Sequence, residues 1–142
     1  MKRSILVLFL VASFLSCSSL GTVSRGYDYS KQQIWEAINT IIAKKHGGVK
    51  SITQKPTTAI SNMSVLDKKF GMDKSSYEVH ASLTGFERPY FVDIEVRVYA
   101  NSDDTTSYTK DINKAQEIQD EIKDYLYHRK YNSTLQEDYK PF

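Results

Sequence analysis

The sequence predicts an α+β domain: a two-layer sandwich of a four-stranded, mainly antiparallel sheet with two helices on one face, in the order α-β-β-β-β-α. Three observations carry that expectation. Apolar residues recur at helical spacing in residues 30–46 and again after Asp111. Between these segments, residues 77–99 contain two adjacent runs that alternate apolar and polar side chains, the signature of a hairpin with one buried and one wet face. Both amphipathic helices then need an apolar surface to cover, and the sheet offers one such face.

The chain opens on Met1-Lys2-Arg3-Ser4, followed by residues 5–15, apolar except for Ser13. As a helix those eleven residues span about 16 Å, roughly half the ~30 Å hydrocarbon thickness of a bilayer. They are therefore read as a secretory signal segment rather than a permanent span. Small polar residues follow: Ser16, Cys17, Ser18 and Ser19. Phe14-Leu15-Ser16-Cys17 resembles the lipobox of bacterial lipoprotein precursors, in which a leucine-like residue and two small residues precede an invariant cysteine. Ser16 and Cys17 fit that pattern; Phe14 stands where Leu is usual and Leu15 where a small residue is usual. The resemblance covers about the first twenty residues. It implies removal of residues 1–16 as a signal peptide and lipidation of the Cys17 thiol, followed by acylation of the new amine. Ser18, rather than Asp, after the lipidated residue implies the outer membrane, facing the periplasm. Two or more acyl chains give stable anchoring where one gives only marginal binding. The alternative is ordinary cleavage after Ser18 or Gly21, which would release a soluble exported protein.

Residues 17–29 are expected to be the lipidated cysteine and a tether. The small, polar stretch 18–29, fully extended, reaches roughly 40 Å. The domain proper is expected over 30–130. Ser30-Lys31-Gln32-Gln33 fits a capping box, and Ile34, Ala37, Ile38, Ile41 and Ile42 form one helical face with Trp35 beside it. Lys44, Lys45 and His46 complement the helix dipole, and Gly47 suits a left-handed cap. Strands are expected near 49–54 and 57–64 around a Lys55-Pro56 turn, and a loop over 65–75. The hairpin strands then run from Tyr77 to Thr84 and from Tyr90 to Tyr99, turning around Gly85, Arg88 and Pro89. A turn cluster at 101–106 precedes a helix capped by Asp111 and carrying Ile112, Ala115, Ile118, Ile122 and Leu126. That helix is expected to fade near Lys130, leaving 131–142 as a tail.

Composition narrows the function classes. Of nineteen basic residues, Lys2 and Arg3 lie in the signal segment, so the remaining seventeen balance seventeen acidic ones. A near-neutral mature chain argues against a nucleic-acid binder, which needs a basic surface to displace counterions. With Cys17 the lone cysteine, no internal disulfide can form.

No cofactor or metal is expected. His46, His80 and His128 show no short ligand spacing and read as surface residues. Asp103-Asp104 lacks the calcium-loop pattern and reads as turn chemistry. Glu78, Asp93, Glu95, Arg97 and His80 fall on the polar face of the hairpin, where cross-strand charge pairing is their ordinary use; acid–base work would need a cleft that desolvates one of them. Asn62-Met63-Ser64 and Asn132-Ser133-Thr134 match the glycosylation triplet, which has no role in a bacterial host. Aromatic residues are plentiful, with ten tyrosines and six phenylalanines. Phe91 and Tyr99 fall on the wet face, a possible partner surface.

The leading expectation is a non-enzymatic, lipid-anchored envelope protein that contacts the membrane through Cys17 and binds an envelope protein or cell-wall partner. Two alternatives stand beside it. A small periplasmic hydrolase or cell-wall enzyme would require a concave pocket joining the carboxylates and His80. A soluble exported carrier of a hydrophobic ligand would require an apolar cavity between sheet and helices.

Overall fold

A computed structural model describes residues 20–55, 57–69, 72–101 and 103–137. The signal segment, Cys17 and the last five residues of the expected tail lie outside the described residues. The fold is α+β, with seven strands in one antiparallel sheet and two helices. The expected four strands and their order are corrected accordingly: the chain runs β1 (Thr22–Tyr27), α1 (Lys31–Lys45), β2 (Val49–Gln54), β3 (Thr57–Ser61), β4 (Ser64–Lys69), β5 (Met72–Thr84), β6 (Tyr90–Tyr99), β7 (Thr109–Lys110) and α2 (Ile112–Glu137).

The β5–β6 hairpin is the spine of the sheet, in register from Ser76 opposite Tyr99 to Thr84 opposite Phe91. Short strands cover both of its edges. β3 and then β4 pair along β5, and β1 and then β7 pair along β6; β2 extends the β3 side. Where β3 gives way to β4, the Val79 amide is served by the Ser61 hydroxyl at 2.8 Å, so the ladder breaks without leaving a buried donor unpaired.

The extra strands explain themselves physically. Residues 22–27, expected as tether, form β1 because the edge of β6 supplies partners from Thr22 opposite Glu95 to Tyr27 opposite Tyr90. Val23, Arg25 and Tyr27 alternate toward the helices, but Arg25 breaks the apolar pattern and instead bonds Asp120 of α2 at 2.9 Å. In the segment expected as a loop, β4 pairs β5 through two register shifts around Asp67, and such irregularities erase a period-two signal.

The core lies between the sheet and the helices. It is filled by Ile34, Ala37, Ile38, Ile41 and Ile42 of α1, by Ala115, Ile118, Ile122 and Leu126 of α2, and by the facing row Val79, Ala81, Leu83, Val92, Ile94 and Val96. Helix α1 starts at the expected capping box, with the Gln33 amide donating to Ser30 Oγ and the Ser30 amide to Gln33 Oε1. It ends at His46, followed by Gly47 with φ +81°, where the chain turns into β2. Asp111 caps α2 by accepting from the Lys114 amide at 2.9 Å. The helix continues to Glu137, past the expected fade near Lys130 and through part of the segment expected as tail.

Candidate functional site on the open sheet face

The row of β5 and β6 that turns away from the helices carries an ordered set of charges. Two glutamates organise it. Glu78, buried, accepts from His80 Nε2 at 2.7 Å, from Lys50 Nζ at 3.2 Å and from the Tyr99 hydroxyl at 3.4 Å. Glu95 accepts from Arg97 Nε at 2.6 Å and Lys110 Nζ at 2.6 Å, with the Thr22 hydroxyl at 3.4 Å. The Arg97 guanidinium lies 4.6 Å from the Tyr108 ring centre, and that ring tilts against Tyr99 at 5.9 Å. The ladder sets Glu78 opposite Arg97 and His80 opposite Glu95. Yet the short contacts among these four run along each strand, His80 to Glu78 on β5 and Arg97 to Glu95 on β6, and not across the pair as the alternation leads one to expect.

The ionisation of both glutamates follows from these partners. Burial alone pushes Glu78 up, but the hydrogen bonds and charges of His80 and Lys50 outweigh it and hold the carboxyl below its ordinary value. Glu95 behaves likewise, with burial opposed and exceeded by Lys110 and Arg97. Both are therefore carboxylates committed to ion pairs. Beside them the sheet forms a trough of about 330 Å³, lined by His80, Asp93, Glu95 and Arg97 together with Thr58 and Ser82. Ala59, Ile60 and Ala81 also line it, so it is an open surface of mixed polar and apolar character rather than a desolvated cleft.

The two aromatic residues read from the sequence as a partner surface stand at opposite ends of β6, about 27 Å apart along the strand. Tyr99 is buried at 4% exposure beneath the Arg97–Tyr108 layer, where its hydroxyl reaches Glu78. Phe91 is 46% exposed. Its ring lies over Gly26, where a Cβ would stand 3.3 Å from the ring edge. Near Phe91, the β5–β6 turn carries Phe86, which is fully exposed.

Of the three histidines expected at the surface, His128 is exposed and His80 is partly covered, but His46 is buried. His46 joins three elements, with Nδ1 at 3.0 Å from the Tyr77 hydroxyl and Nε2 at 2.9 Å from Glu121. A second buried contact, also unforeseen, centres on Gln119: its amide donates to the carbonyls of Val23 and Val92 and its oxygen accepts from the Tyr27 hydroxyl at 2.7 Å. Gln119 sits inside the apolar stripe of α2, and its spacing is the signal that would have found it. Lys110 and Tyr108 lacked any such signal, since only the β6–β7 pairing brings them to Arg97.

Asp104 accepts from the Thr106 amide and hydroxyl, so its carboxylate serves the turn. Among the described residues no cluster of His, Cys, Asp and Glu has the arrangement to hold a metal ion, and no helix is long and apolar enough to cross a membrane. Compared with protein-family models and with curated proteins, the chain matches none.

Proposed function

We propose that this chain is a lipid-anchored bacterial envelope protein, held at the outer membrane through Cys17 and facing the periplasm, whose domain binds or helps assemble another envelope component without itself doing covalent chemistry. The observation that carries the binding role is the aromatic end of the hairpin, where Phe86 is fully exposed in the turn between the two longest strands of the sheet and Phe91 is 46% exposed on the second of them. Rings held out by a packed hairpin bring large contact area at little further entropic cost, which favours an interface. The lipobox-like Phe14-Leu15-Ser16-Cys17 supports the anchor.

The enzyme reading has one observation in its favour, the trough that gathers His80, Asp93 and Glu95 on one surface. The depressed carboxyls of Glu78 and Glu95 suit ion pairing better than proton donation.

Two measurements test the proposal. The mass of the mature protein from its native host should show a lipid-sized excess that disappears in Cys17→Ala; an unmodified chain starting beyond Cys17 would sink the anchor. A photo-crosslinking side chain at position 91 should capture a defined envelope component that the same probe at Ile52 does not. If Phe86→Ala together with Phe91→Ala left that component bound, the surface assignment would fail. Hydrolysis of cell-wall material that is lost in His80→Ala would favour the enzyme reading instead.

A further inference from the structure

We infer that the end of the domain where β1 begins is a footing on the lipid headgroup surface, formed by Leu20, Leu66, Tyr108 and Ile112 gathered around Lys110. This rests on the anchoring at Cys17 proposed above and adds which face of the domain meets the membrane.

Four large apolar side chains are exposed there: Leu20 at 93%, Ile112 at 54%, Leu66 at 41% and Tyr108 at 40%. Leu66 and Ile112 come from separate parts of the chain, so their meeting is a product of the fold, and Leu20 and Tyr108 flank them at the same end. Leu66 and Ile112 line one shallow depression together with Lys110. Residue 21 is pressed onto the aliphatic stem of Lys110 so closely that a Cβ there would collide with it, which places Leu20 at the same spot. Tyr108 lies against Arg97, the cross-strand partner of Lys110. Single exposed apolar residues are ordinary, but a gathered group marks a covered surface.

Ile112 shows why the group is exposed. It begins the same α2 stripe that buries Ala115, Ile118, Ile122 and Leu126, yet it stands more than half exposed where the others are covered. The stripe thus overhangs the core at this end.

Chain length selects the occupant. Cys17 precedes Gly21 by four residues, which reach at most about 14 Å fully extended. A domain of this size is about 30 Å across, since about a hundred residues give a radius of gyration near 13 Å. A lipid inserted at Cys17 therefore keeps the Gly21 end against the bilayer and holds the far end away from it. Along β6, the turn bearing Phe86 lies more than about 23 Å from the strand position facing Lys110. The footing and the proposed partner surface thus point in opposite directions.

The chemistry of the patch fits the boundary between headgroups and acyl chains. Leucine and isoleucine enter the apolar layer, a tyrosine suits the headgroup level, and a lysine stem lies along the boundary with its charge in water. The local charges of Lys110 and Arg97 are matched by Glu95 and Asp111, so contact does not depend on anionic lipid.

The test uses the full lipidated protein reconstituted in phosphatidylethanolamine–phosphatidylglycerol vesicles. With Cys17 occupied by lipid, Leu66→Cys, Tyr108→Cys and Ile112→Cys each supply one thiol for a fluorescent label, as do Phe86→Cys and Tyr127→Cys for comparison. Lipids carrying a nitroxide near the top of the acyl chain should quench the first three labels at least about threefold more than the other two. That contrast should persist in high salt. In protein labelled at position 108, Leu66→Asp with Ile112→Asp should abolish the contrast while the lipid stays attached. Equal quenching at all five sites on protein with a verified lipid mass would overturn the footing and leave the anchor standing. Fluorescent labels at 66 and 112 that escape the nitroxide, while a photo-crosslinker on the same thiols captures protein, would overturn it in favour of a protein partner or a second copy. A chain without lipid on Cys17 would remove both readings.

Discussion

Replacing Tyr27 by phenylalanine deletes one oxygen atom from a buried contact between the edge strand β1 and helix α2. The hydroxyl donates to Gln119 Oε1 at 2.7 Å and lies 3.0 Å from the Gln119 carbonyl, in a residue only 4% exposed. Without it, Gln119 Oε1 keeps its burial and loses its donor, and an unpaired buried acceptor costs about 1–3 kcal/mol. We expect Tyr27→Phe to lower the unfolding free energy by about 2 kcal/mol at neutral pH. The same contact makes an alkaline prediction. Burial pushes the Tyr27 phenol up to about 12, against a smaller opposing pull from the Arg25 charge, from an ordinary value of 10.0. Because the folded-state value is raised, the stabilisation is fully present below pH 10 and is lost as pH rises toward about 12. Two units correspond to about 2.7 kcal/mol, which hydration around the neighbouring Arg25–Asp120 pair trims to about 2 kcal/mol. Other tyrosines and lysines titrate in the same window, so the readout is the difference between the native chain and Tyr27→Phe. Urea unfolding at about pH 8 and about pH 11.5 should show that difference shrinking toward zero. A variant as stable as the native chain at the lower pH, or a difference that does not change with pH, would refute the claim that this hydroxyl is locked in the core.

Two further outcomes follow from the local geometry. Gly47→Ala forces a side chain into φ +81° and brings its Cβ to 2.5 Å from Ser64 Oγ. It should cost about 2 kcal/mol or more, and more than Gly48→Ala, where the nearest atom is the Asn62 side-chain nitrogen at 3.2 Å. Thermal unfolding of the two variants side by side checks the ranking. On the acid side, Glu78, Glu95 and Glu121 are all held below 4.5: burial pushes each up, but hydrogen bonds and charges from Lys50 and His80, from Lys110 and Arg97, and from His46 and Lys45 respectively more than offset it. Depressed carboxyls contribute stability that is present above their unfolded value and lost as pH falls through the folded one. Unfolding free energy should therefore drop below about pH 4.5, and the drop should be shallower in Glu78→Gln, Glu95→Gln and Glu121→Gln; an unchanged slope in all three would contradict these ion pairs.

Local rules made α1 and the central hairpin legible. Ser30 and Gln33 cap one end of α1 through contacts three residues apart, and the β5–β6 strands alternate because one face is buried along most of their length. What escaped was structure that exists only through a partner. Arg25 interrupts the apolar row of β1, yet it is accommodated because α2 brings Asp120 to it. Asp67 breaks the alternation of β4 through register shifts that only the pairing with β5 defines. At the candidate site, alternation alone puts Glu78, His80, Glu95 and Arg97 on one face, but the pairs form along each strand, His80 with Glu78 and Arg97 with Glu95, where cross-strand pairing is the expectation. Enclosure of Tyr99 could not be anticipated, because Tyr108 reaches it from the short stretch between the 101–106 turn and the Asp111 cap, which carries no pattern of its own.

The same misreading bears on how the domain would be held. A tether over residues 18–29 would leave the domain free to roam about 40 Å from its anchor, whereas β1 as found spends six of those residues in the sheet. What keeps them there is pairing to β6 on one edge, the Arg25–Asp120 ion pair and the Tyr27–Gln119 contact. Edge strands are drawn from the less stable end of a fold, so β1 can open at lower cost than the whole domain. If Cys17 is lipidated, each such opening would lengthen the leash from about 14 Å to about 40 Å and free the footing from the bilayer. The buried glutamine on α2 would then set how often the domain leaves the membrane surface, although neither Gln119 nor Tyr27 belongs to the surface patch. Amide exchange across residues 22–27, compared between the native chain and Gln119→Ala, would measure that opening directly, and exchange as slow in the variant as in the native chain would remove the link.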